Sequence, residues 1–313
     1  VDMNDFLDLE LGVLIRGVTE TEQRWALGSS VAGLGDIDGD DWPDIAVAAT
    51  GTPHDGEQFA GSVHVIFGGP DLPRDIDIGN LGSLGFEIKG VDWEGVLGRA
   101  LCGPGDINED EHLDAYVANA NANYVYYGDG EGGFTTAKAT PDYASFSGDV
   151  ALGDVNGDGN DDAVVANLYA ENRVFLGTDS EGLETTATGL SGSNNTEGLA
   201  LGDLNGDGNL DVFFANHTDN RINRVHLGTG DSSLFDSGTE VSTGDASAAS
   251  SKDVALGQLD GDENLDAFVA NSATHSENGI LLGDGSGSFT VTHPLGETEA
   301  GATAVAIGEL TSQ

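Results

Sequence analysis

The chain has 313 residues, 55 of them acidic and 10 basic, with a formal net charge of −45. A surface that acidic repels nucleic acid and anionic membranes, so neither is an expected partner. Glycine is abundant at 48, proline is scarce at 7, and no amphipathic helical stretch stands out, so the expectation is an all-β chain of short strands and tight turns; no apolar run approaches the roughly eighteen residues of a membrane span, so no membrane insertion is expected.

Taken in order, the chain opens on Val13-Leu14-Ile15-Arg16-Gly17-Val18, which mirrors Phe86-Glu87-Ile88-Lys89-Gly90-Val91. Both are read as the outermost strand, D, of a repeating unit. The first acidic stretch follows as Asp36-Ile37-Asp38-Gly39-Asp40-Asp41-Trp42-Pro43-Asp44. An apolar run, Ile45-Ala46-Val47-Ala48, leaves it, and an insertion around Pro70 to Ser83 lengthens this first unit. The same nine-residue pattern returns at 106–114, 154–162, 203–211 and 258–266, after the first interval about every fifty residues. A period in that range marks a propeller or an array.

The third copy writes out one unit. Strand A is expected over 149–153, the acidic loop at 154–162, strand B over 162–167, strand C over 172–177 and strand D near 183–188. Strand C recurs at 124–128, 224–228 and 279–283, and strand B ends in Ala-Asn at Asn119, Asn167, Asn216 and Asn271. Four antiparallel strands per unit make a propeller blade. The chain closes on 303–310, a strand A. The expectation is therefore one β-propeller domain over 1–313, with about six blades, or seven if the natural chain is longer. Its last blade would be shared between the N- and C-terminal strands, which closes the ring and removes exposed edges. Phe6 to Glu10 is the candidate for a middle strand of that blade.

The loops carry the chemistry. Oxygen side chains stand at positions 1, 3, 5 and 9: Asp36, Asp38, Asp40 and Asp44; Asp106, Asn108, Asp110 and Asp114; Asp154, Asn156, Asp158 and Asp162; Asp203, Asn205, Asp207 and Asp211; Gln258, Asp260, Asp262 and Asp266. Position 7 (Trp42, His112, Asn160, Asn209 or Asn264) is expected to offer its backbone carbonyl, which lets its side chain vary. Carboxylates aimed at one point repel unless a hard cation sits among them. Calcium accepts six to eight oxygens in loose geometry, whereas magnesium demands a smaller octahedral shell. No Cys or His cluster offers a softer site. About four or five calcium ions are expected. One such stretch alone reads equally well as a polar turn, and it is five copies in register that favour the cation. Position 12, where an EF-hand needs Glu, is Val47, Val165 or Phe214, so this is a different loop. Glycine at position 4 permits positive φ. Glu109 replaces it in the second copy and is expected to strain the turn. Gln258 replaces the first Asp of the fifth copy and is expected to weaken that site.

Two stretches carry a resemblance. Gly28-Ser29-Ser30-Val31-Ala32-Gly33-Leu34-Gly35-Asp36-Ile37-Asp38-Gly39-Asp40, followed by Asp44 to Ala49 and Gly61 to Gly68, resembles an FG-GAP repeat, the family that includes the integrin α-subunit propeller. The later units resemble the related VCBS repeat of bacterial and archaeal surface proteins. The resemblance implies six or seven blades, calcium in the A–B loops, extracellular placement, and binding or adhesion. Glu109, Gln258 and the incomplete last blade depart from it.

Cys102 is the single cysteine, so no internal disulfide forms. The chain begins at Val1 with no signal peptide, which reads as a processed or trimmed N-terminus. Carboxylates spread along the whole chain with three lysines fit a halophile, whose surface charge is screened in molar salt over about 3 Å. Antiparallel connections alternate ends, so the B–C and D–A loops lie opposite the acidic ones. That end carries Trp25, Trp93, His54, His217, His275, Asn121, Asn220 and Asn278, a set suited to a glycan or a peptide. Asn194-Asn195-Thr196 and Asn216-His217-Thr218 match the glycosylation pattern, which is weak evidence. The leading expectation is a calcium-binding surface module for adhesion to a protein or glycan. A structural subunit of an appendage, polymer or virion is the alternative, and a polysaccharide-acting enzyme the second. No H-E-x-x-H, G-x-S-x-G or nucleophile–base set stands out, so no catalytic residue is expected.

Overall fold

The computed structural model describes residues 13–17, 26–54, 59–90, 95–140, 146–178, 182–217, 222–241, 250–272, 278–295 and 302–307. The described chain is all-β and builds five four-stranded antiparallel sheets and one two-stranded sheet, the blades of a β-propeller. It divides into two compact units, 1–106 with 110–143, and 107–109 with 144–313.

The first unit holds two blades. Strand β1 (Leu14–Arg16) precedes β2 (Leu27–Gly35), β3 (Asp44–Ala49) and β4 (Ser62–Ile66), then β5 (Asp75–Asp77) and β6 (Gly85–Lys89). The first blade is β2-β3-β4-β6. The insertion expected around 70–83 forms β5 and two short 3-10 turns, Ile78–Asn80 and Gly82–Leu84. Among the described residues the opening strand pairs within the first unit: β1 runs parallel to β5, Ile15 beside Ile76. Ile76 is buried and Ile15 packs in its cluster, so burial of the insertion decides the pairing. The second blade is β7 (Ala100–Gly105), β8 (Asp114–Ala118), β9 (Asn123–Gly128) and β10 (Phe134–Thr140).

The second unit holds three. The third blade is β11 (Phe146–Gly153), β12 (Asp162–Leu168), β13 (Glu171–Phe175) and β14 (Ala187–Asn194). The fourth is β15 (Thr196–Gly202), β16 (Asp211–Asn216), β17 (Asn223–His226) and β18 (Thr239–Val241). The fifth is β19 (Ser251–Gly257), β20 (Asp266–Asn271), β21 (Asn278–Gly283) and β22 (Phe289–Leu295). Strand D of the third blade lies later than its expected 183–188. Leu183 is fully buried in the turn, and Ala187 is the residue that pairs with Phe175.

The second strand of each blade is an apolar run buried along nearly its whole length, such as Asp-Ala-Val-Val-Ala-Asn-Leu in β12 and Asp-Val-Phe-Phe-Ala-Asn in β16. Blades cover both its faces, so strict alternation is unnecessary. Val164 and Ala166 of one blade meet Val212 and Phe214 of the next, while Phe213 and Val225 turn the other way toward Val254 and Val269. Innermost strands approach closely. A Cβ on Gly198 would stand 2.6 Å from Asp253 Cα, so glycine is required there.

Neighbouring inner strands are also bonded through carboxylates. Asp149 accepts from its neighbour Val150 N–H at 2.9 Å and from Leu199 N–H of the next blade at 2.9 Å. Desolvation pushes its carboxyl up to about 7 despite these bonds. Asp253 repeats the device, accepting from Val254 N–H and, at 2.8 Å, from Val305 N–H. Residues 302–307 thus take the inner-strand position beside β19, where a sixth strand A is expected, but form no strand ladder. Phe6 to Glu10 and residues 308–310 lie outside the described residues.

Candidate functional site

The five acidic loops share one backbone. Position 4 is left-handed in every copy: Gly39 (φ 78°), Glu109 (57°), Gly157 (76°), Gly206 (74°) and Gly261 (85°). Glu109 therefore adopts the strained conformation expected of it. Position 6 is left-handed too, at Asp41 (71°), Glu111 (71°), Gly159 (97°), Gly208 (88°) and Glu263 (73°), a constraint the sequence hid because three of the five are not glycine.

Side-chain oxygens hold that path. Asp154 Oδ1 accepts from Gly157 and Asp158 N–H at 2.7 and 3.2 Å, and Oδ2 from Gly159 N–H at 2.9 Å. Asp36 and Asp203 do the same, and Asp106 accepts from Asp110 and Glu111. Position 3 accepts from the position 5 N–H in Asp38, Asn156, Asn205 and Asp260. Position 5 accepts from the position 7 N–H in all five copies, Asp40, Asp110, Asp158, Asp207 and Asp262. In two of the loops these oxygens also converge. One oxygen from each of Asp36, Asp38 and Asp40 lies within 4.8 Å of the others, as does one from each of Asp260, Asp262 and Asp266. Desolvation and then the charges of Asp40, Asp44 and Asp36 raise the Asp38 pKa. Desolvation, with Asp158 and Asp154 adding, pushes Asp162 up to about 6. Hard oxygen donors, convergent and mutually repelling, fit a divalent cation of the calcium class.

Position 9 has a second duty. Asp162 is fully buried, accepting from Val155 N–H at 3.0 Å and from Gly177 N–H, past the end of strand C, at 2.8 Å. Asp44, Asp211 and Asp266 make the same pair of bonds, and Asp114 accepts from Gly128 N–H. Position 7 is also less free than expected. A Cβ on Gly230 would stand 2.2 Å from Asn209 Oδ1, and one on Gly285 2.5 Å from Asn264 Oδ1, so the C–D turn closes over this side chain. Position 2 is caught by the C–D turn of the following blade: Gly132 N–H bonds Ile37 C=O and Gly287 N–H bonds Leu204 C=O, each at 3.0 Å.

At the opposite end the recurring Ala-Asn becomes a staple. The N–H groups of Asn119, Asn167, Asn216 and Asn271 bond the side-chain oxygens of Asn123, Asn172, Asn223 and Asn278. Asn119, Asn167 and Asn216 return their Nδ2 to a carbonyl just before the second Asn. Two expectations are thereby corrected. Asn278 is a structural acceptor rather than a free ligand group. Asn216 is buried, with Nδ2 on Ile222 C=O and Oδ1 on Thr196 Oγ1, so it is no glycan acceptor. His54 stands 3.3 Å from Glu87, and His217 shares Glu197 with Lys252. Trp25, Trp93, His275 and Asn220 lie outside the described residues.

A cavity of about 120 Å³ opens beside Asn121, between the first two blades, lined also by Lys89, Leu97, Asn119, Tyr124 and Tyr126. Desolvation raises the Tyr126 pKa to about 12, so its hydroxyl is a neutral donor. Ser62 Oγ meets His64 Nε2 at 3.0 Å, a pairing invisible in sequence, but both residues are buried and desolvation lowers the His64 pKa.

The sequence matches FG-GAP-like repeats over residues 106–165, 154–214 and 203–269, and the FG-GAP repeat over 27–66. Comparison with curated proteins gives no significant match. Among solved structures, an Agrocybe aegerita lectin that recognises non-reducing terminal N-acetylglucosamine is 18% identical with a TM-score of 0.53, over 86% of this chain and 67% of that one. The BP39L lectin of Burkholderia pseudomallei is 14% identical with a TM-score of 0.57, over 89% and 71%. The V. cholerae biofilm matrix protein Bap1 is 17% identical with a TM-score of 0.43, over 83% of this chain and 38% of that one. At these identities the two lectins share its fold.

Proposed function

The chain belongs to the FG-GAP-like repeat family, and from that premise we propose that it is a calcium-stabilised propeller that binds a glycan at the end of the blades opposite its acidic loops. The observation that carries the calcium half is the convergence of Asp36, Asp38 and Asp40 oxygens within 4.8 Å. Positions 1, 3 and 5 of each loop, the position 7 carbonyl and the position 9 carboxylate would hold the ion. The ion would supply charge neutralisation, letting the loop keep its carboxylates ionised. Calcium loops suit an extracellular or cell-surface setting, where the ion is plentiful, and the charge of −45 suits a salt-rich one.

The glycan half rests on the cavity at Asn121, where an amide, an ammonium and two phenols meet apolar wall. Two propellers of this fold are lectins, which supports the same reading. The proposed role is one of binding; among the described residues the contacting Ser62 and His64 side chains are buried.

Melting the protein in molar salt with calcium, then with chelator, then with metal titrated back tests the first half. A metal that binds only the folded state raises the midpoint, and saturation at about four or five ions is expected. An unchanged midpoint would sink it. Calorimetric titration with neutral oligosaccharides tests the second half, and Asn121→Ala is expected to weaken binding about tenfold.

A further inference from the structure

Among the described residues one pair of contacting aromatic rings is exposed on both sides. Tyr169 is 75% exposed and Phe146 41%, with ring centroids 6.0 Å apart and planes at 86°. Both lie at the end of the third blade opposite its acidic loop: Phe146 begins β11, paired with Leu168, and Tyr169 sits in the turn between β12 and β13. Burial explains neither ring's placement. Tyr169 is moreover held at φ 68°, a conformation that bulky residues avoid. Its N–H is fixed there by Asn195 Oδ1 at 3.1 Å. A strained residue kept in place by a dedicated partner, presenting its ring to water, marks a functional position.

The same Asn195 ties the rings to a polar cluster. Its C=O accepts from His217 N–H at 2.8 Å. Two residues on, Glu197 Oε1 takes Lys252 Nζ at 2.5 Å and lies 3.5 Å from His217 Nδ1. The rings of the third blade are thus joined through Asn195 to His217 and Glu197 of the fourth, and through Glu197 to Lys252 of the fifth. Ring faces stack on the C–H face of a pyranose, and the polar groups suit its hydroxyls. A protein partner would need a far larger apolar patch than two rings. The charge of −45 disfavours uronic or sulfated sugars.

We propose that Tyr169 and Phe146, with His217 and Glu197, form a second glycan site, specific for neutral hexopyranose chains. This rests on the glycan reading above but uses separate residues, so the two can fail separately.

The test is calorimetry on the full chain in molar salt with calcium. The probes are cellotetraose, N-acetylchitotetraose and, as the anionic arm, polygalacturonate. The variants are Tyr169→Gly, Tyr169→Phe and Asn121→Ala. Tyr169→Gly relieves the backbone, so its melting midpoint holds or rises while one binding event is lost and the Asn121 event stays. Tyr169→Phe keeps the ring and keeps binding. If Tyr169→Gly binds like the parent while Asn121→Ala loses all binding, the second site is overturned and the first reading stands. If the parent binds neither neutral probe, both are overturned. Binding of polygalacturonate alone would overturn the assignment to neutral sugars.

Discussion

Loops 203–211 and 258–266 share strand register, both left-handed turns and the buried position 9 carboxylate, yet they are held differently. In the first, Asp203 accepts three loop N–H groups, and Leu204, 3% exposed, is bonded through its carbonyl to Gly287 of the following blade. In the second, Gln258 donates Nε2 to Glu263 C=O of its own loop at 3.1 Å, and Leu259 is 40% exposed. The shared part depends on Asp211 and Asp266, which each bond their own strand C end. What differs depends on the first residue and on the neighbouring blade's turn. A loop of this type is thus shaped by its own blade and locked by the next.

The largest expected effect tests the lock. Leu204→Ala should cost about 2–5 kcal/mol in denaturant unfolding, whereas Leu259→Ala should stay within about 0.5 kcal/mol. Equal losses would break the comparison. Next, Asp211→Ala leaves the N–H groups of Leu204 and Gly228 without their acceptor, at about 2–4 kcal/mol. Asp266→Ala should cost roughly half that, because water reaches the exposed Leu259. Third, Gln258→Asp restores the missing carboxylate. Calcium at that loop, followed by isothermal titration, should tighten about tenfold, and an unchanged affinity would mean the first position is not a ligand. Smallest, Glu109→Gly relieves a left-handed non-glycine and should raise stability by about 1 kcal/mol in a chemical melt.

Much of this was legible in the chain itself. A D-x-[ND]-G-D pattern, intact in three copies and altered at Glu109 and Gln258 in the other two, with buried runs after it, determined the repeat, the blade and the acidic loops, because turn chemistry and strand burial are local. Glu109 was readable as strained for the same reason. Strand D of the third blade was misplaced by a few residues, since Leu183 is apolar and buried yet belongs to the turn. The Ala-Asn signal was visible without its meaning, which is a hydrogen bond to a second Asn four to seven residues on.

The tertiary structure alone decided which groups meet. Asp162 finds Gly177 fifteen positions away, and Asp149 finds Leu199 fifty positions away in the next blade. The opening strand pairs with the insertion, where Ile15 packs beside buried Ile76. Phe146 and Tyr169 sit in sequence like ordinary core aromatics, and only the tertiary structure shows both rings exposed and in contact. Local preference sets the period of such a chain. Contacts between blades, formed by residues one or more periods apart, choose which side chains are buried, which hold the loops, and which are left to face a ligand.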